Sequence, residues 1–116
     1  ATELFGQEAG GHFQDILKSI VEIREGRYLF NSIEEQAAHL MYLIIRNRPF
    51  RDGNKRIGAF LFVWFLDRNR YRLDADGTPK INANGLAALA LLVAQSDPAD
   101  KDELIKLIIN LVKASE

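Results

Sequence analysis

The chain of 116 residues has no cysteine, which excludes disulfides, thiolate catalysis and thiolate metal ligands. That composition fits a reducing compartment, and cytoplasm is the expected location. Long hydrophobic runs are also missing. The longest, residues 57–66, falls well short of the roughly 20 residues that span a bilayer, and no signal-peptide pattern opens the chain. Net charge is nearly absent, at −1 with a pI near 6.2, so there is no global pull toward nucleic acid and any anion binding must be local. Repeats and low-complexity segments are lacking. So is an initiator methionine: the chain opens mid-flow with Ala1-Thr2-Glu3, as expected for a piece of a longer protein with a further N-terminal domain.

What is present is a globular composition, 47% hydrophobic and 27% charged, in a length that suits a single domain over residues 1–116. Phe13, Ile16, Leu17, Ile20 and Val21 share one helical face, and Gly26 follows as a stop, which predicts a first helix over about residues 12–25. Residues 27–30 form a short extended candidate. Ser32-x-x-Glu35 reads as a capping box opening a second helix to about Asn47, with Ile33, Ala37, Leu40 and Ile44 on one face. Pro49 breaks the helix. From about Asn54 to Asp67 the chain is apolar nearly all round, which predicts a buried, central helix. Residues 74–79 read as a solvated turn, since the later positions of a calcium loop are missing. A buried helix around residues 86–93 and a last helix capped by Asp100-x-x-Glu103, with Leu104, Ile105, Ile108, Leu111 and Val112 inward, complete an all-α, compact helical domain.

The segment Arg46-Asn47-Arg48-Pro49-Phe50-Arg51-Asp52-Gly53-Asn54-Lys55-Arg56 places five basic residues, one acid and a Gly-Asn pair between two apolar helices. Gly53 and Asn54 stand where a loop becomes a helix, so backbone N–H groups and the helix dipole point at an anion site. Asp52 is placed to take Mg²⁺, a hard cation that uses one or two carboxylates plus phosphate oxygens. Lys55 and Arg56, in the first turn, are disfavoured by the dipole unless an anion is bound there. A second reading is open: Asp52 as an ordinary cap, and Arg46, Arg48 and Arg51 as a solvated rim. A Walker loop is excluded by spacing. Nucleic acid is not an expected partner, because the following helix is too apolar to lie in a groove.

Residues 48–56 resemble the signature of the Fic/Doc (death-on-curing) family, His-x-Phe-x-Asp/Glu-Gly/Ala-Asn-Gly/Lys-Arg, at every position but the first. The surrounding chain, from about Phe13 to the final helix, resembles the C-terminal domain of RhuM-like bacterial virulence proteins. The resemblance implies a transferase that moves AMP, or in the Doc branch the γ-phosphoryl group, from ATP with Mg²⁺ to a hydroxyl of a target protein. It implies that Phe50 anchors the loop in the core, Asp52 binds the metal, Gly53 and Asn54 form an anion nest, and Arg56 pairs with phosphate. Lys55 and Ala59 stand where AMP-transferring members usually have Gly and a second Arg, which leans toward Doc. Residues 27–30 correspond to the flap that holds the target segment.

Two departures bear on activity. Val21 stands at the Ser/Thr position of the family's inhibitory Ser/Thr-x-x-x-Glu-Gly/Asn pattern, which argues against built-in inhibition by Glu25. Arg48 occupies the place of the general-base His. A base must take the hydroxyl's proton near neutral pH; histidine titrates near 6.5, whereas an arginine keeps its proton to beyond about 12. Loss of a general base costs on the order of 10²- to 10⁴-fold, so near-inactivity is expected. His12 and His39 are expected to be structural or solvent-facing. The rival expectation is a non-catalytic module that binds a nucleotide or a protein such as an antitoxin.

Overall fold

The computed structural model describes residues 6–113 other than 9, 11 and 25. The described chain is all-α, with a two-residue-strand hairpin as its one sheet. Helix α1 covers His12–Ile20, strands β1 Ile23–Arg24 and β2 Arg27–Tyr28 follow, and then come α2 Ile33–Asn47, α3 Asn54–Arg68, α4 Ala83–Gln95 and α5 Lys101–Val112. A single 3₁₀ turn at Pro98–Asp100 leads into α5.

Helix α1 is shorter than its periodicity predicts. It buries Ile16 and Ile20 and ends there, leaving Val21 exposed, and residues 23–24 leave the helical path to pair antiparallel with 27–28. Gly26, with φ of +78°, supplies the left-handed residue that this tight reversal requires. Strand β2 takes in residues 27–28 of the expected 27–30, and the Leu29 N–H extends the pairing by donating to the Glu22 carbonyl at 2.7 Å. Glu25 lies outside the described residues.

Helix α2, not α3, is the centre of the molecule. Its start follows the sequence signal: the Ser32 hydroxyl accepts the Glu35 N–H at 3.1 Å, which satisfies one orphan donor of the first turn. It buries Ala37, Ala38, Met41, Tyr42 and Ile45 against α3, α4 and α5, and Leu40 and Ile44 against α1 and the loop after α2. Gln36, also buried, spends its amide on the Phe30 carbonyl and so fixes the end of the hairpin to α2. Helix α3 inserts Phe62 and Leu66 into this core but leaves Phe60 66% and Trp64 47% exposed. The expectation of a helix buried all round is therefore overturned, because only one side of α3 is covered by the other helices described.

Helix α4 runs longer than expected, is capped by Asn82, and buries Leu89, Ala90 and Val93 but not Leu91 or Leu92. In α5, Leu104, Ile105, Ile108 and Val112 are inward, while Leu111 lies on the flank of that stripe and is exposed. Asp100 makes no side-chain cap there; Asp97 caps the preceding 3₁₀ turn by accepting from the Ala99 N–H. The 74–79 turn is held internally, Asp76 accepting from the Thr78 N–H. Among the described residues no group of acids or histidines could hold a metal by itself, and no helix is long and apolar enough to cross a membrane.

Candidate functional site

Everything in residues 48–56 is positioned by the end of α2 and the start of α3. Pro49 forbids an ordinary helical continuation, and the chain leaves α2 through Arg48 in the left-handed region (φ 52°, ψ 58°), where its N–H still reaches the Ile44 carbonyl at 3.2 Å. Pro49 is fully buried. Phe50 packs against the Ile16–Ile20–Leu40–Ile44 cluster, its ring 5.0 Å from that of Phe13. The Arg48 side chain, by contrast, is exposed.

The Asn54 side chain has a part of its own beside the backbone one expected of this residue. It is 8% exposed, and its side-chain amide is used on both sides of the loop: Oδ1 accepts the Phe50 N–H at 3.0 Å and Nδ2 donates to the Phe50 carbonyl at 2.8 Å. Its side chain is thus a clamp that closes the loop, and what it can offer an anion is its backbone N–H. Gly53 begins the helix in the left-handed conformation (φ 85°) and provides no side-chain cap, and its carbonyl accepts the first helical bond from Ile57. The N–H groups of Asn54, Lys55 and Arg56 therefore have no acceptor within the helix, with a dipole behind them. Lys55 and Arg56 are exposed beside them, and Asp52 is half-buried just before them.

The five basic residues do not form one patch. Arg46 is part-buried and donates to the Ala94 carbonyl at 3.1 Å, tying the ends of α2 and α4 together, so it is not part of a solvated rim. Arg48 and Arg51 face solvent, and only Lys55 and Arg56 sit at the opening of α3. Those two also line a groove of about 550 Å³ between α3 and α4, walled by Ala59, Phe60, Leu86 and Leu91 among others.

Two features were not legible beforehand. The segment before α1 runs along the loop: the Arg51 N–H donates to the Gln7 carbonyl at 2.7 Å, the Gly6 N–H to the Asp52 carbonyl at 3.2 Å, and Glu8 pairs with Phe50. Nothing in its composition marks it as a partner for residues more than forty positions away. His12 lines a second cleft, of about 530 Å³, with Asp15 and with Asn47, the neighbour of Arg48. His39 is structural, as expected: it stacks on Phe30 with centroids 3.8 Å apart, and its Nδ1 donates to the Glu35 carbonyl at 2.9 Å. Burial holds its imidazole below the usual range, partly offset by that hydrogen bond.

The model of the Fic/DOC family matches residues 7–66, just over half of the chain, from the segment beside the loop to the last turn of α3. The chain belongs to the Fic/DOC family. The match takes in α1, the hairpin, α2, the loop and most of α3, and α4 and α5 lie beyond it. No curated protein and no solved structure matches the chain.

Proposed function

We propose that this Fic/DOC chain binds Mg-ATP at the start of α3 and derives from a cytoplasmic transferase, of the kind found in RhuM-like virulence proteins, that moves a phosphoryl or AMP group to a protein hydroxyl. The observation that carries this reading is the opening of α3. An amide clamp holds the loop closed, a glycine begins the helix without a side-chain cap, and two exposed cations stand where the dipole opposes them unless an anion is present. The donor set fits a nucleotide-borne metal: Asp52 supplies a single carboxylate, and phosphate oxygens and water would complete the shell that Mg²⁺ prefers. When bound, the metal neutralises phosphate charge; the backbone N–H groups, Lys55 and Arg56 orient the triphosphate.

Arg48 takes the place of the family's base. The left-handed backbone there is one that histidine tolerates better than most residues, so the loop itself is compatible with the family residue. With arginine in place, binding persists and transfer falls by about 10²- to 10⁴-fold.

Thermal unfolding with Mg-ATP tests the binding step. Nucleotide at about 100 times its Kd stabilises the fold by about 2.7 kcal/mol, on the order of 10 °C in Tm for a domain this size. Asp52→Ala is expected to remove the part of the shift that depends on Mg²⁺. An unchanged Tm with saturating Mg-ATP overturns nucleotide binding and leaves a non-catalytic protein-binding module, such as one that meets an antitoxin.

A further inference from the structure

Residues 50–52 of the Fic loop take their backbone partners from two different places. Both groups of Phe50 go to the Asn54 amide. The next two residues are held instead by the segment before α1: Arg51 donates its N–H to the Gln7 carbonyl at 2.7 Å, and the Asp52 carbonyl accepts the Gly6 N–H at 3.2 Å. Glu8 pairs antiparallel with Phe50 beside them. These two bonds hold the peptide group before Arg51 and the one after Asp52, and so set the direction in which the Asp52 carboxylate leaves the backbone.

The opening of α3 depends on other contacts. Its N–H groups at residues 54–56 are set by the helix itself and by the Asn54 clamp, and Lys55 and Arg56 belong to its first turn. The segment at 6–8 therefore bears on the carboxylate ahead of the helix and not on the N–H groups of the anion site. Gly6 has φ of +77°, and a Cβ built there would meet nothing within 4 Å. Backbone conformation, not space, is what asks for glycine at this position.

We propose that residues 6–8 are a positioning strap for the metal end of the nucleotide site: with the strap in place Asp52 is aimed at Mg²⁺, and with the strap released it is not. This rests on the reading of Asp52 as the metal-binding carboxylate. Because coupling between two sites is reciprocal, whatever engages residues 6–8 acts on metal affinity, and bound Mg-ATP holds the strap down by the same factor.

The test compares the full chain with two variants. Gly6→Pro removes the N–H donor and its ring fixes a negative φ, whereas Gly6→Ala keeps the donor and meets only the strain of the left-handed backbone. Each chain is titrated by calorimetry with ATP, in Mg²⁺ and in EDTA. In Gly6→Pro the affinity for Mg-ATP is expected to fall about tenfold or more while that for metal-free ATP stays within about twofold, with Gly6→Ala between parent and Pro. Amide exchange read by NMR gives the reciprocal effect: the Arg51 N–H exchanges faster in Gly6→Pro, and Mg-ATP slows it about tenfold in the parent. Equal losses with and without Mg²⁺ overturn the proposal, because they mark a general loosening of the loop. Unchanged Mg-ATP affinity in Gly6→Pro overturns it as well: with a faster Arg51 amide the strap is released without consequence, and with an unchanged one Gly6 does not hold the strap. The parent titration tests the underlying reading separately, since no gain in affinity from Mg²⁺ there refutes Asp52 as the metal residue, and the strap falls with it.

Discussion

Single residues decide whether the Fic loop exists as a shape. Asn54 closes it through two hydrogen bonds to one residue, and both Phe50 backbone groups would lose their partner in Asn54→Ala. That variant is expected to lose about 1–3 kcal/mol in urea unfolding, since a buried backbone group without a partner costs its full desolvation. A Tm equal to the parent's would show that the clamp is dispensable. His39 gives a pH signature at the same scale. Its imidazole is held below its unfolded value by burial, so the fold favours the neutral ring and the unfolded chain binds more protons. The contribution is complete above about pH 6.5, the unfolded value, and is lost as pH falls below it. His39→Phe keeps a ring against Phe30 and should flatten the Tm profile in that acid range relative to the parent; an unaltered profile contradicts the assignment.

Between elements, the α2–α3 contact carries the site, because the loop is held at both ends by it. Gly58 leaves no room for a side chain between the two helices: a Cβ built there would lie 2.8 Å from Ile45 Cγ1 and 3.4 Å from Ile44 Cγ2, both on buried side chains. Gly58→Ala should gain the roughly 1 kcal/mol that alanine offers inside a helix and lose more, about 1–3 kcal/mol, to overpacking. The expected outcome is a lower denaturation midpoint with an unchanged slope. Combining it with Ile45→Ala removes the clashing atom, so the double variant should be more stable than the sum of the two single losses; strict additivity would argue against the contact.

At the scale of the whole molecule, the loop is framed by pieces far apart in sequence: α1 beneath Phe50, residues 6–8 along residues 50–52, and α4 tied to α2 through Arg46 and Ala94. Such a frame keeps its shape when a side chain that faces solvent is exchanged. Arg48→His should therefore preserve Tm and Mg-ATP binding while raising transfer. The measurement is label transfer in bacterial lysate from ATP labelled at the α or the γ phosphate, with the parent chain alongside. Labelled protein with the histidine variant alone, by about 10²-fold or more over the parent, is the expected result, and the position of the label separates AMP from phosphoryl transfer. Absence of label from both chains would count against the transferase reading.

The sequence by itself determined the start of α2, the loop and the residue types around it. Ser32, Pro49 and Asn82 act through local hydrogen bonds or steric limits that neighbours in the chain can express, and residues 48–56 carry their resemblance to the family as a linear pattern. Where apolar residues point was less legible. An apolar stripe says that a face can be buried, not that anything covers it, and so α3 with Phe60 and Trp64 looked central while α2 took that place. The end of α1 was misjudged for a related reason: hairpin pairing of residues 23–24 with 27–28 outweighs a helical pattern that Val21 could have continued. Only the tertiary structure decided that Asn54 is a clamp, that Arg46 is a tie and that residues 6–8 lie along the loop, because each depends on a partner brought close by packing rather than by sequence.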